Sequence, residues 1–208
     1  AIGRTRHGNH TGILTKTNQE VNFYHLAWHK SFKRDNFYAF ANDPTYILSR
    51  WVKFTSLTED PAVAEIRIPS IIKLLELIYD KNKEKIPYSL NFKETKFNSD
   101  TGDLDLGENE CGLTCATFVV SFLNSVGVEI INIETWQERN PEDQEWKQNI
   151  LNFMGLGVEQ DHIDKVSKEV LNYRIKPEEV AVASSKDEEE LPANFDFCST
   201  AGALFNKL

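Results

Sequence analysis

Cys115 stands at the start of a stretch whose apolar residues recur at helical spacing. Phe118, Phe122 and Val126 follow it on one stripe, and Gly127 then supplies a helix stop. A thiol in the first turn of a helix lies beside unpaired backbone N–H groups and the positive end of the helix dipole, which lower its pKa and favour the nucleophilic thiolate. The same N–H groups can hold a developing oxyanion. Cys115 is therefore a candidate nucleophile, against the alternative of a small apolar core residue.

Three of the five histidines lie in or next to two predicted strands, 11–15 and 21–28. A two-residue turn at 18–19 makes opposed positions add to 37, so that His10 faces Ala27. His25 and His29 are then its diagonal neighbours, about 7–8 Å away between Cα atoms. The alternating residues on this face are apolar, so we expect these imidazoles to point at protein rather than water. A three-residue turn would break the arrangement.

A thiol centre needs a base that takes the thiol proton and a third group that orients the base. A hairpin with two histidines, packed against a helix that begins with cysteine, supplies both. His29 is a rival of His25 for the third position. Cys111, which precedes the helical pattern, is a rival nucleophile. The C-x3-C spacing of Cys111 and Cys115 has no second ligand pair nearby, so we expect no metal and no other cofactor.

Composition indicates an ordinary globular protein of 208 residues, with 40% hydrophobic and 26% charged residues. The net charge of −9 gives no basic surface for nucleic acid. No apolar run is long enough for an integral membrane segment, and no signal-peptide pattern is present at the start of this sequence. Three cysteines do not form a disulfide framework, so we expect either a cytoplasmic protein or one exported without a conventional signal peptide.

The rest of the chain favours a mixture of helices and short strands. Helices are predicted over 45–54, from Pro69 through Ile78, and over 142–154 and 159–172. Segments 87–92 and 179–184 resemble strands, 98–109 a loop, 128–133 a strand or loop, and 191–208 has no clear period. We assign 1–135 to a catalytic core and 136–208 to an extension packed on it, with a soft boundary.

Three segments carry a family resemblance. His-Thr-Gly-Ile-Leu at 10–14, Phe-Tyr-His-Leu-Ala at 23–27 and Cys-Ala-Thr-Phe-Val at 115–119 occur in this order. They resemble the circularly permuted branch of the NlpC-like, papain-fold superfamily, which includes the lecithin:retinol acyltransferase-like and the bacterial permuted amidase-like proteins. The resemblance covers roughly residues 8–127. It implies an α+β, papain-like, circularly permuted fold, with a small antiparallel sheet packed on the cysteine helix and a mostly helical C-terminal extension.

The same resemblance implies roles for individual residues. Cys115 takes the place of the nucleophile, His10 of the general base and acid, and His25 of the orienting third member. The approach to the cysteine is similar to the oxyanion-hole segment of papain-like enzymes, with Asn109 in the place of an amide donor. This chain departs from the family in having Thr114 where asparagine usually precedes the cysteine, and in having only nine residues before His10.

The expected function is that of a cysteine hydrolase or amidase, which cleaves an amide or isopeptide bond through an acyl-enzyme. The expected partner is a peptide, a peptidoglycan fragment or another acyl substrate, and an adaptor or immunity protein for the extension if the protein is a secreted toxin. One alternative is a thiol acyltransferase or lipase that acts on lipid esters. Another is a non-catalytic papain-like module that binds a partner. A metal-dependent hydrolase that uses the histidines and Cys111 ranks last.

Overall fold

A computed structural model describes residues 2–5, 8–17, 20–36, 61–108, 110 and 112–205. Within these ranges the protein is α+β, with small antiparallel sheets and six α-helices, as the sequence predicts for its class. The helix predicted over 45–54 lies outside the described residues.

The strands fall into three short antiparallel sheets. Their bounds are β1 Ile2–Thr5, β2 Gly8–Thr11, β3 Ile13–Lys16, β4 Val21–Trp28, β5 Ser31–Asn36, β6 Lys96–Phe97 and β7 Leu104–Asp105. The sheets have the orders β1-β2, β3-β4-β5 and β6-β7. The strand β1 therefore precedes and pairs with β2, the strand that carries His10. The loop predicted over 98–109 is correct only in part, because its residues 104–105 form β7.

The predicted register of the first hairpin is confirmed. Ile13 pairs with Tyr24 and Lys16 with Val21, and each pair of numbers adds to 37 as predicted. The turn residues at 18–19 lie outside the described residues. The register does not continue to His10, which pairs with Gly3 of β1 instead of Ala27.

Gly12 is the reason for this break. A Cβ atom at Gly12 would lie 2.4 Å from the Tyr24 carbonyl oxygen and 2.7 Å from the His25 Cβ. Only a residue without a side chain lets the chain pass this close to β4. The chain therefore changes sheets at one residue, and His10 stays beside His25 although their strands belong to different sheets.

The helices are α1 Pro61–Asn82, α2 Cys115–Ser125, α3 Glu142–Met154, α4 Gln160–Lys168, α5 Pro177–Ala183 and α6 Phe195–Phe205. The prediction for the cysteine helix is confirmed at both ends. Gly127 has φ +77° and its N–H bonds the Asn124 carbonyl oxygen at 3.0 Å. The prediction for α3 is also confirmed. The helix predicted over 159–172 is shorter than expected and ends at Lys168.

Three sequence-based assignments are wrong. Pro69 does not begin a helix but lies inside α1, which starts at another proline, Pro61. The strand predicted over 179–184 is the helix α5, because Pro177 starts it and the Glu179 carboxylate accepts the Lys176 backbone N–H at 2.8 Å. The strand predicted over 87–92 has a single bridge, from Tyr88 to Leu113.

Two regions without a firm assignment also become clear. Segment 128–133 is largely irregular, with one bridge from Ile131 to Ala193. The tail contains α6, where the Asn194 side chain accepts the Phe197 backbone N–H at 2.9 Å as an N-cap.

One buried cluster joins the cysteine helix to the sheet and to the extension. Phe32 of β5 lies with its ring 4.7 Å from that of Phe118 in α2. Val180, Ala193 and Cys198 of the extension belong to the same cluster. The extension is therefore packed on the core that carries the cysteine. None of the described helices combines the length and apolar character that a bilayer-spanning segment needs.

Candidate active site

Cys115 is fixed at the first position of α2 by the residues before it. The Thr114 side chain accepts the Thr117 backbone N–H at 3.2 Å, and the Thr117 hydroxyl accepts the Thr114 N–H at 2.7 Å. The Leu113 N–H bonds the Pro87 carbonyl oxygen at 2.9 Å. Thr114 and Thr117 thus cap the start of the helix reciprocally.

The two histidines of the hairpin are in direct contact. His10 Nε2 lies 2.7 Å from His25 Nδ1, and His25 Nε2 lies 2.8 Å from Asp35 Oδ2. The Phe23 ring stacks on the His25 ring at 4.7 Å. His25 is 5% exposed, so β4 holds it rigidly between Phe23 and its two polar partners.

The Asp35 carboxylate determines the direction of these hydrogen bonds. A carboxylate only accepts hydrogen bonds, so His25 Nε2 carries a proton and donates a hydrogen bond to Asp35. Neutral His25 then has a lone pair on Nδ1, which accepts the His10 Nε2–H. His10 is left with a lone pair on its own Nδ1, which is the form that a general base requires.

Cys115 lies directly beside the strand that carries His10. Burial raises the pKa of the Cys115 thiol, while hydrogen bonds from the Thr11 and Ala116 backbone N–H groups lower it in part. The net direction is upward. The expectation that the helix start lowers this pKa is thus wrong as a net effect, because desolvation outweighs the N–H groups.

His10 is shifted in the opposite sense. Burial, and next the neighbouring His25, lower the pKa of His10 from 6.5 to about 3. Burial also lowers the pKa of His25, and Asp35 opposes this shift. The free protein near neutral pH therefore holds an uncharged thiol beside uncharged imidazoles rather than an ion pair.

Cys115, His10, His25 and Asp35 line one cavity of about 770 Å³. The extension also lines this cavity. Its lining residues come from α3, from the segment before α5 and from the first residue of α5: Trp146, Asn149, Ile150, Phe153, Arg174, Ile175 and Pro177. The extension therefore contributes directly to the candidate site.

The remaining candidates lie elsewhere. His29 accepts the Tyr88 N–H on Nδ1 at 3.3 Å, and its Nε2 lies 3.2 Å from Glu159, beside the ring of His162. The structure thus brings His25 to His10 and places His29 in a separate cluster. Asn109 and Cys111 lie outside the described residues. Among the residues that the structure describes, no group of three or more His, Cys, Asp or Glu side chains has a metal-binding arrangement.

Asp35 is a site residue that the sequence did not reveal. It lies in β5, where Lys33 pairs with His25, so Asp35 is the diagonal neighbour of that histidine on the same face. Asp35 could have been found by recognising β5 as a strand. Had 31–36 been assigned as the third strand of the hairpin sheet, Asp35 would have followed from the register.

Comparison of the chain with family models, curated proteins and solved structures finds no match.

The buried neutral histidines predict a specific acid sensitivity. The unfolded state takes up a proton at His10 near pH 6.5, whereas the folded state does so only near pH 3. The contribution of His10 to the free energy of unfolding is therefore fully present above about pH 6.5. It is lost as the pH decreases towards 3, by up to about 1.4 kcal/mol per pH unit.

Urea unfolding between pH 4 and 8 measures this effect. The free energy of unfolding should fall by roughly 1 to 3 kcal/mol per molar urea, and its extrapolated value in water is compared between pH values. His10→Gln keeps a donor for His25 but cannot titrate, so its unfolding free energy should fall less steeply below pH 6.5 than that of the parent. Equal slopes for the two proteins would show that His10 titrates normally in the fold.

Proposed function

We propose that the protein is a cysteine hydrolase that cleaves an amide or isopeptide bond through an acyl-enzyme, in a papain-like, circularly permuted fold. The observation that carries this proposal is the chain of hydrogen bonds from Asp35 through His25 to His10, in the same cavity as Cys115. A nucleophile, a base and an orienting group in one cleft are the parts that acyl transfer requires. The chain order, with the histidine strands before the cysteine helix, is that of the permuted family.

In the first step His10 Nδ1 takes the thiol proton while the Cys115 sulfur attacks the substrate carbonyl carbon. A C–S bond forms and the carbonyl π electrons move to oxygen. The uncharged resting pair requires this proton transfer to accompany the attack, because a free thiolate is disfavoured by burial. Asp35 and His25 stabilise the imidazolium that forms at His10.

The oxyanion needs donors that are in place before the reaction. The Ala116 backbone N–H at the start of α2 and the Thr11 N–H already point at the sulfur. Tyr88 lines the same cavity, and burial, followed by Cys115, raises the pKa of its hydroxyl, so that the hydroxyl stays a donor. These groups would stabilise the negative oxygen in a site of low polarity.

The second half of the reaction returns the proton. The C–N bond breaks as His10 gives its proton to the leaving amine, which leaves a thioester on Cys115. Water then attacks the thioester with His10 as base, and the carboxylic acid and the free thiol are released.

Two observations favour competing functions. The apolar side chains of Trp28, Trp146 and Phe153 in the cavity suit an acyl chain, as in transfer from lipid esters. The raised pKa of the thiol suits a non-catalytic module that binds a peptide. The hydrolase explains both features together with the histidine chain, which neither binding nor packing needs.

The nucleophile is tested with p-nitrophenyl acetate as an activated acyl donor. The protein should release p-nitrophenol in a burst of about one equivalent and carry one acetyl group at Cys115, found by peptide mass spectrometry. Cys115→Ala should lose the burst while keeping its circular dichroism spectrum.

Two matched thiol variants complete this test. Cys198 is fully buried in the core and burial raises its pKa to about 12, so Cys198→Ala should retain the burst. Cys111→Ala should retain it also. A burst that disappears with Cys111 rather than Cys115, or one that survives Cys115→Ala, would contradict the proposed nucleophile.

The orienting role of Asp35 is tested by Asp35→Asn, which keeps the shape but presents an amide to His25. We expect a loss of about 100-fold in the acylation rate, because the histidines lose the tautomers that leave His10 Nδ1 unprotonated. The control is Glu20→Gln, an exposed acid at the far end of the same hairpin that accepts the Asn22 side chain at 3.0 Å. An acylation rate for Asp35→Asn within twofold of that control (about 0.4 kcal/mol) would remove Asp35 from the mechanism.

A further inference from the structure

Arg174 lies on the extension's wall of the cavity that contains Cys115. The carbon of its guanidinium lies over the Trp146 ring, 4.3 Å from the ring centroid. A cation–π contact of this kind holds the guanidinium without using its N–H donors in an ion pair. Arg174 therefore presents a held cation to the space in front of the thiol.

Arg174 has no ion pair among the described residues, although carboxylates are close enough to act on it. Asp143 instead accepts the Arg139 backbone N–H at 2.9 Å and lies against the Arg139 guanidinium. Glu178 accepts the Asn9 side chain at 2.9 Å. The neighbouring acids are thus engaged by other donors.

The charge in this cavity is opposite to that of the whole protein. The chain carries a net charge of −9, yet the charged residues that line the cavity are Arg174, Lys33 and Asp35. Asp35 already accepts the hydrogen bond of His25. A partly buried guanidinium without a carboxylate partner is costly, and an anionic ligand would compensate it.

We propose that the substrate carries a carboxylate close to its scissile carbonyl and that Arg174 binds this group through its N–H edge. The scissile bond rests on the proposed function, whereas the anion site rests on the cavity alone. A carboxylate fits the forked guanidinium with two parallel hydrogen bonds, which fixes orientation as well as charge. Acidic amino acid residues and peptide C-termini are the substrates that offer such a group next to an amide.

The anion site is tested with two thiol reagents that differ in charge. Iodoacetate carries a carboxylate one carbon from the reacting centre, and iodoacetamide is its neutral counterpart. In both reactions the thiolate sulfur attacks the methylene carbon of the reagent, a C–S bond forms and iodide leaves that carbon. Both reactions need the same thiolate, so the ratio of their rates cancels any change in the pKa of Cys115. Each rate is read at Cys115 by peptide mass spectrometry.

We expect the iodoacetate-to-iodoacetamide ratio at Cys115 to exceed that of glutathione by about tenfold, since one charge-assisted hydrogen bond supplies that factor. Arg174→Gln should return the ratio to the glutathione value, and Arg174→Lys should restore part of it. The matched control is Arg67→Gln, which removes the same charge from α1, where Arg67 bonds the Val126 carbonyl oxygen at 3.3 Å. A parent ratio equal to that of glutathione, or a raised ratio unchanged in Arg174→Gln, overturns the proposal.

Paired peptides extend the test to turnover. Acyl-peptide amides with Glu or Gln beside the scissile bond should differ in KM in the parent, with Glu preferred, and should become equal in Arg174→Gln. Preference for iodoacetate without any peptide cleavage would keep the anion site and reject the hydrolase. Equal cleavage of Glu and Gln peptides with no reagent preference would keep the hydrolase and reject the anion site.

Discussion

The hydrogen bond between His10 and His25 holds the candidate site together. It is 2.7 Å long and joins β2 of one sheet to β4 of another, beside the change of sheet at Gly12, where a side chain would clash with β4. Asp35 fixes one end of this chain of hydrogen bonds, and His10, at the other end, lines the same cavity as Cys115. This bond sets the orientation of the His10 ring relative to His25. The chemistry proposed for the cavity therefore depends on it.

Burial decides the state of the groups that this bond connects. It lowers the pKa of both histidines and raises that of the Cys115 thiol, so the charged forms of all three are disfavoured before a substrate arrives. The proposed function therefore requires charge to form during the reaction, and the groups that surround the site are suited to stabilise that charge. Asp35 faces the imidazoles, while backbone N–H groups and Arg174 act on the sulfur.

The sequence predicted the parts of the fold whose pattern is local. The stripe after Cys115 and the stop at Gly127 define α2 because the period, the cap and the left-handed glycine agree. The hairpin register followed from its polar turn. The α5 helix was missed because Val180 and Val182 alternate with alanines as in a strand, whereas the start at Pro177 and the burial of Val180 and Ala183 on one face decide for a helix.

The parts of the site that follow from local sequence patterns were likewise predictable. The pairing of His10 with His25 followed from spacing, although the route was a change of sheet rather than a continuous strand. Asp35 and Arg174 could not be inferred, because both depend on contacts between segments far apart in the chain or on an unassigned strand. The sign of the thiol pKa also required the structure, since the helix start and the burial act in opposite directions and only coordinates give their balance.

The central claim is that Asp35, His25 and His10 form one directed chain that leaves a lone pair on His10 Nδ1. Nitrogen-15 NMR of the imidazoles at pH 7 measures it directly, because the shifts of the two ring nitrogens distinguish the tautomers and the charged form. We expect both rings to be neutral and each to carry its proton on Nε2. A proton on Nδ1 of either ring, or an imidazolium at this pH, would contradict it.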